Sequence, residues 1–286
     1  MTYRELLIEL RKKLSQTDGE QAAHTARELC AFAADKTREA LLRDDELLVP
    51  ENVRERALAI TDDYLAGKPL AYILGQWSFY GLDFSVNESV LIPRNDTMAV
   101  TDLAIEFAKP LSSPRILDLC TGSGCIGIAL AHYLPSSRVT LADISDDVLR
   151  VAKKNVTANR LSARVSAIRA DALSKPPLAL RNYDLIVSNP PYVTESEMRT
   201  LDPSVKDYEP HLALRGGEDG LTFYRAICRN YAQVLRDQGA ICFEFGMGQE
   251  FAVKEILREN GFSDFVFRRD GSEIIRAVIA RKNGKE

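Results

Sequence analysis

The sequence predicts an α/β fold with a mainly parallel sheet and helices on both faces, preceded by a small helical domain and a β-hairpin. Three observations support this prediction. Residues 1–75 are patterned as helices, residues 76–92 carry aromatic residues around Gly81 as a hairpin does, and strand patterns alternate with helix patterns from Pro114 onward. We therefore expect a helical domain over 1–75, a hairpin linker over 76–92 and an α/β domain over 93–286.

The helical domain is predicted from apolar spacing and from start and stop signals. One face of the first helix is marked by Leu6, Leu7, Leu10 and Leu14. Thr17 and Glu20 have the spacing of a capping box, which predicts the start of a second helix. Pro50 predicts the start of a third helix, and Gly67 with Pro69 predicts its end.

The α/β domain is predicted from short apolar runs that alternate with amphipathic segments. The strand patterns cover residues 115–119, 138–143, 165–169, 183–188 and 240–245, with later ones near Phe265 and at 275–280. The helix patterns cover residues 125–134, 148–158, 221–235 and a segment ending near Asn260. Strands in such an alternation are joined by right-handed crossovers, and ligands bind beyond their carboxyl ends.

Charge and cysteine usage narrow the class of protein. The 286 residues carry a net charge of -4, which argues against a large electrostatic footprint for DNA or RNA. The five cysteines include no Cys-x-x-Cys pair, as expected of reduced thiols in the cytoplasm. Neither a signal peptide nor a membrane span is evident. We therefore expect a cytoplasmic monomer without a metal, without direct nucleic-acid binding and without a membrane segment.

The tetrapeptide Asn189-Pro190-Pro191-Tyr192 follows the apolar run 183–188 directly. Prolines carry no N–H, so the Asn189 side-chain oxygen and the Pro190 carbonyl can act as acceptors without local donors competing. That arrangement suits a planar NH₂ group, against which Tyr192 can supply a flat face. The alternative is a turn that only ends a strand. No charged general base is evident near this motif in the sequence.

A glycine-rich segment joins the first strand of the α/β domain to its first helix. Gly122, Gly124 and Gly127 satisfy G-x-G-x-x-G, so a dinucleotide site is one interpretation. Asp118, before the glycines, would oppose a pyrophosphate and favour a cationic amino-acid moiety and a sulfonium. No residue cluster suits hydride chemistry either. These features favour S-adenosylmethionine over a dinucleotide.

An acidic residue ends the next strand pattern, and another follows the one after it. Asp143 can accept both hydroxyls of a ribose, and Asp171 can accept from an adenine amino group with Ala172 against the ring. The alternative for Asp171 is a helix cap or a loop acid. The predicted cofactor site comprises Asp118, Cys120, Thr121, Gly122, Ser123, Gly124, Asp143, Ile144, Asp171, Ala172 and Asn189.

With the glycine loop, Asp143 and Asn-Pro-Pro-Tyr in register, the chain resembles class I methyltransferases that modify a planar nitrogen. The tetrapeptide alone is shared by enzymes acting on adenine N6, guanine N2 and glutamine amides. Flanking segments narrow the choice to the peptide chain release factor glutamine N5-methyltransferases. The segments that carry this resemblance are 69–75, 79–84, 90–94, 209–214, 216–221 and 224–225.

This resemblance implies a Rossmann-like catalytic domain and a helical substrate-docking domain. The reaction would transfer a methyl group from S-adenosylmethionine to the glutamine N5 of the Gly-Gly-Gln loop of release factors, leaving S-adenosylhomocysteine. Asn189, Pro190 and Tyr192 are the expected catalytic residues, and Pro191, Arg94 and Phe79 are expected to join them in binding the substrate. Core packing is the alternative for Phe79 and its neighbour Tyr80. The alternative activity is methylation of a nucleic-acid base amino group at adenine N6 or guanine N2.

The chain departs from the family pattern in three places. Cys120 stands where the family usually has glycine. Residues 95–98, Asn-Asp-Thr-Met, replace a more typical Pro-Glu-Thr-Glu, and residues 271–276 form a loose version of Gly-x-Asp-Arg. None of these departures touches the tetrapeptide.

Overall fold

The computed structural model describes residues 1–284, and the chain forms two compact units. The first unit comprises Met1–Gln76 and Pro203–Tyr208, and the second comprises Trp77–Asp202 and the described chain from Glu209 onward. The last two residues of the expected 93–286 domain lie outside the described range. Within residues 1–284, no helix has both the length and the apolar character needed to cross a membrane.

The first unit is helical. Its helices are Tyr3–Asp18, Ala22–Ala33, Arg38–Arg43, Glu51–Leu65, Leu70–Leu74 and the single turn Pro203–Lys206. The apolar face predicted for the first helix is largely confirmed, because Leu6, Leu10 and Leu14 are fully buried in one core cluster. The third predicted helix, Glu51–Leu65, begins after Pro50 as expected.

The capping box predicted at Thr17 and Glu20 is wrong. The first helix continues through Thr17 to Asp18, and the second begins at Ala22 without a side-chain cap, after a 3₁₀ turn. The capping box lies instead at the start of the first helix, where Thr2 N donates to Glu5 Oε2 at 2.8 Å and Glu5 N donates to Thr2 Oγ1 at 3.3 Å. Thr17 and Glu20 match the spacing of a box, but the preceding turn is still helical.

The second unit contains the predicted hairpin and a sheet of seven strands. The hairpin consists of β1 (Gln76–Phe79) and β2 (Leu82–Ser85), and Tyr80 and Gly81 have the positive φ angles of a tight two-residue turn. The other strands are β3 (Arg115–Leu119), β4 (Arg138–Asp143), β5 (Val165–Arg169), β6 (Tyr183–Ser188), β7 (Val193–Thr194), β8 (Arg215–Gly217), β9 (Leu235–Glu244), β10 (Phe262–Arg269) and β11 (Ile275–Lys282). Strands β7 and β8 form a separate small pair.

The seven-stranded sheet has the order β10-β11-β9-β6-β3-β4-β5. The strands from β9 to β5 pair in parallel, whereas β11 is antiparallel to both β9 and β10. The helices on its two faces are Met98–Ala108, Cys125–Tyr133, Asp146–Ala158, Thr222–Tyr231 and Glu250–Glu259. Successive strand residues point to opposite faces of the sheet and pack into two core clusters. Ile116 lies in the first core cluster and Leu117 lies in the second. The predicted α/β fold class is confirmed, although the pattern analysis missed the helix Met98–Ala108.

The topology determines where a ligand can bind. From β3 the chain proceeds to β4 and β5 on one side, and then returns to β6 on the other side of β3. A reversal of this kind opens a crevice beyond the carboxyl ends of the two central strands, because their connections leave in opposite directions. The glycine-rich segment follows β3 and the tetrapeptide follows β6, so both border this crevice.

Candidate active site

A cavity of about 300 Å³ lies at the carboxyl ends of the parallel strands. The predicted site residues on its wall are Arg94, Cys120, Thr121, Gly122, Ser123, Asp143, Ile144, Asp171, Ala172, Asn189 and Pro191. The predicted residues absent from the wall are Phe79, Asp118, Gly124, Pro190 and Tyr192. The structure thus brings segments following four strands to one cavity.

The glycine-rich loop turns sharply between β3 and the helix Cys125–Tyr133. Cys120, Gly122 and Gly124 all have positive φ angles, of 61°, 55° and 84°. This left-handed backbone favours glycine because it lacks a Cβ. Cys120 therefore has a left-handed backbone conformation that the glycine usual in the family would adopt with less strain.

Asp118 lies beneath this loop and is fully buried. Its Oδ2 accepts hydrogen bonds from Thr121 Oγ1 at 2.6 Å and from Gly127 N at 2.9 Å. Burial raises the pKa of this carboxyl group to about 7. The carboxyl group braces the loop and the start of the helix and does not line the cavity, but its Oδ1 has no hydrogen-bond partner among the described residues, so a direct contact with a cationic ligand stays a prediction.

Gly127 packs too closely against the sheet for any side chain. A Cβ there would lie 2.3 Å from Leu141 Cδ2 and 2.9 Å from Asp118 Oδ2. We expect Gly127→Ala to lower the free energy of unfolding by about 1–3 kcal/mol through overpacking, measured by thermal and urea denaturation. The matched control is Gly271→Ala, where an added Cβ meets nothing within 4 Å. Equal stability of the two variants would contradict this account.

Asp143 ends β4, and its carboxylate anchors the glycine-rich loop. Oδ2 accepts from Gly122 N at 3.2 Å and Oδ1 accepts from Ser145 N at 3.1 Å. Burial raises the pKa of Asp143, and these backbone N–H groups act in the opposite direction. Each carboxylate oxygen has a second lone pair, so the group can still accept from ligand hydroxyls.

Asp171 follows β5 on the same wall. Its Oδ1 accepts from Leu173 N at 2.9 Å and its Oδ2 accepts from Ser174 Oγ at 2.6 Å. These bonds are those of the loop acid that was the alternative interpretation. The buried Ala172 lies beside Asp171 on the wall, so an adenine-contacting role for this pair stays a prediction.

The chemistry of the wall fits a cationic nucleoside ligand. The carboxylates of Asp143, Asp147 and Asp171 line the cavity, and the buried Ser123 Oγ has no hydrogen-bond partner among the described residues. The Arg94 guanidinium is also on the wall but forms an ion pair with the buried Glu209. Asp147 is likewise paired with Arg150, so the remaining negative charge is that of Asp143 and Asp171. This charge favours a ligand with a positive charge and ribose hydroxyls, as S-adenosylmethionine has.

Asn189 reaches the cavity wall from the end of β6. Its Nδ2 donates to Thr97 Oγ1 at 3.3 Å. Within residues 1–284, no donor engages the Asn189 Oδ1 or the Pro190 carbonyl. Both prolines of the tetrapeptide are buried, which holds this backbone in place. Asn189 Oδ1 therefore offers the cavity an acceptor without a protein partner, and the Pro190 carbonyl beside it also has none, although Pro190 does not line the cavity.

The backbone of Tyr192 is held by residues that the pattern analysis did not select. Gln249 Nε2 donates to Tyr192 O at 3.1 Å, while Gly246 N donates to Gln249 Oε1 at 2.9 Å. A Cβ on Gly216 would lie 2.6 Å from Tyr192 Cα, and one on Gly220 would lie 2.4 Å from Tyr192 O. In the sequence these two glycines matter only for the family resemblance, and their close approach to Tyr192 is visible only in three dimensions.

Gln249→Ala removes both of these hydrogen bonds. We expect kcat to fall about tenfold, because a backbone held by roughly 1 kcal/mol per bond becomes free to shift. Steady-state methyl transfer and calorimetric binding of S-adenosylhomocysteine would check this, with affinity expected to stay within threefold. The control is Gln233→Ala, whose side chain donates to Asn230 O on the exposed surface. Unchanged kcat in Gln249→Ala would show that Tyr192 does not need this support.

Two predicted substrate-binding residues have other visible partners. Phe79 is 1% exposed and packs in a core cluster with Phe84 and Val100, so its expected substrate contact is corrected to core packing. Arg94 lies on the wall, but its ion pair with Glu209 also fixes the local loop, because Ile92 N donates to Glu209 Oε2 at 3.2 Å. The Tyr192 ring packs against the second core cluster rather than lining the cavity.

Comparison with known proteins agrees with this architecture. Residues 99–216 match the methyltransferase small domain and residues 5–75 match the PrmC N-terminal domain. A methyltransferase structure from Pyrococcus furiosus shares the fold, with a TM-score of 0.52, 16% identity and coverage of 79% of this chain and 98% of that chain. The hMettl16 catalytic domain gives a TM-score of 0.55 at 21% identity, covering 70% and 76%. Fold and site together define a class I methyltransferase.

Sequence relatives specify the family. The release factor glutamine methyltransferase of Clostridium acetobutylicum is 36% identical over 99% of this chain and 100% of its own length. The protein of that name from Moorella thermoacetica is 40% identical over 91% of each chain. The chain belongs to the release factor glutamine methyltransferase family.

Proposed function

We propose that this protein transfers the methyl group of S-adenosylmethionine to the side-chain amide nitrogen of a glutamine in peptide chain release factors. The observation that carries the proposal is the pair of acceptors at the end of β6. Asn189 Oδ1 and the Pro190 carbonyl have no protein donor among residues 1–284. Two such oxygens match the two N–H bonds of a carboxamide.

The acceptors address the weak nucleophilicity of an amide. The nitrogen lone pair is delocalised into the carbonyl, as in the peptide bond. Acceptance of both N–H bonds by Asn189 and Pro190 favours the transition state, in which those protons become more acidic. The same contacts orient the lone pair, and alignment effects of this kind reach about 7–11 kcal/mol at their upper range.

The acidic wall serves cofactor binding. Bound S-adenosylmethionine supplies an electrophilic methyl group on a sulfonium sulfur. Asp143 accepts hydrogen bonds from a ribose, while the loop that it anchors shapes the cavity beside Asn189. Asp171 and Ala172 are the proposed adenine contacts. The proton lost from the substrate nitrogen leaves to solvent after transfer.

The remaining assignments follow from this activity. We propose that the glutamine is the one in the Gly-Gly-Gln loop, that residues 1–75 dock the release factor, and that the reaction occurs in the cytoplasm. We also propose that the protein acts as a monomer. Binding energy from a docking domain remote from the reacting atom can be used to position the glutamine.

Labelled methyl transfer tests the proposal directly. The enzyme and labelled S-adenosylmethionine are incubated in parallel with release factors, tRNA and DNA, and the modified atom is mapped by mass spectrometry. We expect label on the glutamine N5 of a release factor. A release factor with Gln→Glu at that position is the substrate control and should take no label. Label confined to nucleic acid would refute the proposal and favour base methylation.

A further inference from the structure

Glu244 is a buried acid beside the tetrapeptide that the proposed reaction does not yet use. It is the last residue of β9, which pairs in parallel with β6 and sets Phe243 opposite Ser188. The next position along each strand is Glu244 on one and Asn189 on the other. Glu244 is 1% exposed, so its carboxyl group is enclosed at this point of the sheet.

The carboxyl group contacts the residues that hold the Asn189 side chain. Burial raises the pKa of Glu244, and hydrogen bonds from Thr97 and from Asn189 act in the opposite direction. Thr97 Oγ1 accepts a hydrogen bond from Asn189 Nδ2 at 3.3 Å. The Thr97 O–H is therefore available to donate a hydrogen bond to the Glu244 carboxylate. Glu244 Oε2 has no hydrogen-bond partner among the described residues, which leaves this carboxyl group with spare acceptor capacity.

We propose that Glu244 is a positioning residue that fixes the Asn189 carboxamide with Nδ2 toward Thr97 and Oδ1 toward the substrate amide. The inference rests on the proposed function, in which Asn189 Oδ1 is an acceptor. An ionised carboxylate can only accept hydrogen bonds, so it attracts the NH₂ end of the asparagine. A reversed Asn189 would present N–H groups to the N–H groups of the substrate.

Protonation of Glu244 removes this preference. The neutral acid can donate to Asn189 Oδ1 and thereby stabilise the reversed carboxamide. Burial, acting with the Asp96 charge, raises the pKa of Glu244 to about 7, and Arg276 acts in the opposite direction. The titratable or charged groups that interact with Glu244 are Asp96, Cys125, Tyr192, Tyr224 and Arg276. The competent form is the ionised one, so positioning improves as pH rises through the pKa.

Asparagine side-chain NMR tests the inference without turnover. The full chain with ¹⁵N-labelled asparagine is titrated from pH 5.5 to 8.5, and Asn189→Ala assigns the resonance. We expect the Asn189 Nδ2 resonance to titrate with a midpoint near 7 in the wild type and to lose that step in Glu244→Gln. Burial raises the pKa of Asp118 to about 7 as well. If the Asn189 resonance still titrates in Glu244→Gln, the titration belongs to Asp118 and the inference is overturned.

Kinetics supply the second readout. We expect Glu244→Gln and Thr97→Val to lower kcat on the order of tenfold to a hundredfold with KM for the cofactor little changed, and Thr97→Ser to restore the rate. Thr61→Val is the matched control, since Thr61 is also buried but its hydroxyl donates to Ala57 O within the helix Glu51–Leu65. Wild-type kcat in Glu244→Gln would overturn the inference. A wild type without activity on release factors would refute the proposed function instead, and the NMR titration would still decide the role of Glu244.

Discussion

Asn189→Ala is expected to lower kcat for release factor methylation by about 10²–10³-fold, the range found when a single preorganised oxyanion-type contact is removed. The reason is that Asn189 Oδ1 lies on the cavity wall and has no donor among the described residues, so it can accept from a substrate amide. The effect should fall on kcat, because the contact strengthens as the amide protons become acidic. Single-turnover methyl transfer to a purified release factor measures it.

Cofactor affinity separates the two possible roles of Asn189. Asn189 lines the cavity, but the anchoring of the glycine-rich loop depends on Asp143, so affinity for S-adenosylhomocysteine should stay within a few fold in Asn189→Ala. The control is Asn260→Ala, whose side chain donates to Ile256 O at the end of a helix. An equal loss of turnover and affinity would make Asn189 chiefly a cofactor residue.

The sequence alone predicts those strands, helices and turns that are determined by residues close to one another in the chain. Strand β3 and the loop after it were predicted because a short apolar run meets glycines that need positive φ angles. The helix Met98–Ala108 was missed because it is apolar on most sides, with little periodicity to read. Thr17 with Glu20 shows the opposite error, in which a local pattern matches a cap that the continuing helix overrides.

Site residues could be predicted where a single segment at a strand end contains the functional side chain. They could not be predicted where the site depends on contacts between segments that are distant in sequence. Asn189 follows β6 directly and Asp143 ends β4, so their place at the cavity follows from strand order alone. Glu244, Gln249 and Glu209 come from other segments, and their contacts depend on strand register and loop packing. No charged general base is evident among the sequence neighbours of the tetrapeptide, but the pairing of β9 with β6 places the Glu244 carboxyl group beside Asn189.

Asp143→Ala is expected to weaken binding of S-adenosylmethionine and S-adenosylhomocysteine by roughly 30- to 700-fold. Two hydrogen bonds from ribose hydroxyls to a carboxylate are lost. Such charge-assisted bonds contribute about 1.5–3 kcal/mol each net of exchange with water, and water that enters beside the truncated side chain recovers part of this. The net loss of about 2–4 kcal/mol gives that range, at 1.4 kcal/mol per factor of ten. Part of the loss arises because Gly122 N no longer has its acceptor, so the glycine-rich loop is less well ordered for the ligand.

Isothermal calorimetry with S-adenosylhomocysteine measures the loss, and kcat at saturating cofactor should change far less than KM because Asp143 does not touch the substrate amide in the proposed reaction. Asp146→Ala is the matched control, since that carboxylate lies three residues on and pairs with Arg169 on the surface at 3.4 Å. Its affinity should equal that of the wild type. Asp143→Asn adds a finer comparison, because it keeps one oxygen acceptor and removes the charge, so its affinity should fall between those of the wild type and Asp143→Ala. If Asp143→Ala binds as tightly as Asp146→Ala, the ribose must be held elsewhere, and the acid at the end of β4 serves only to anchor the loop.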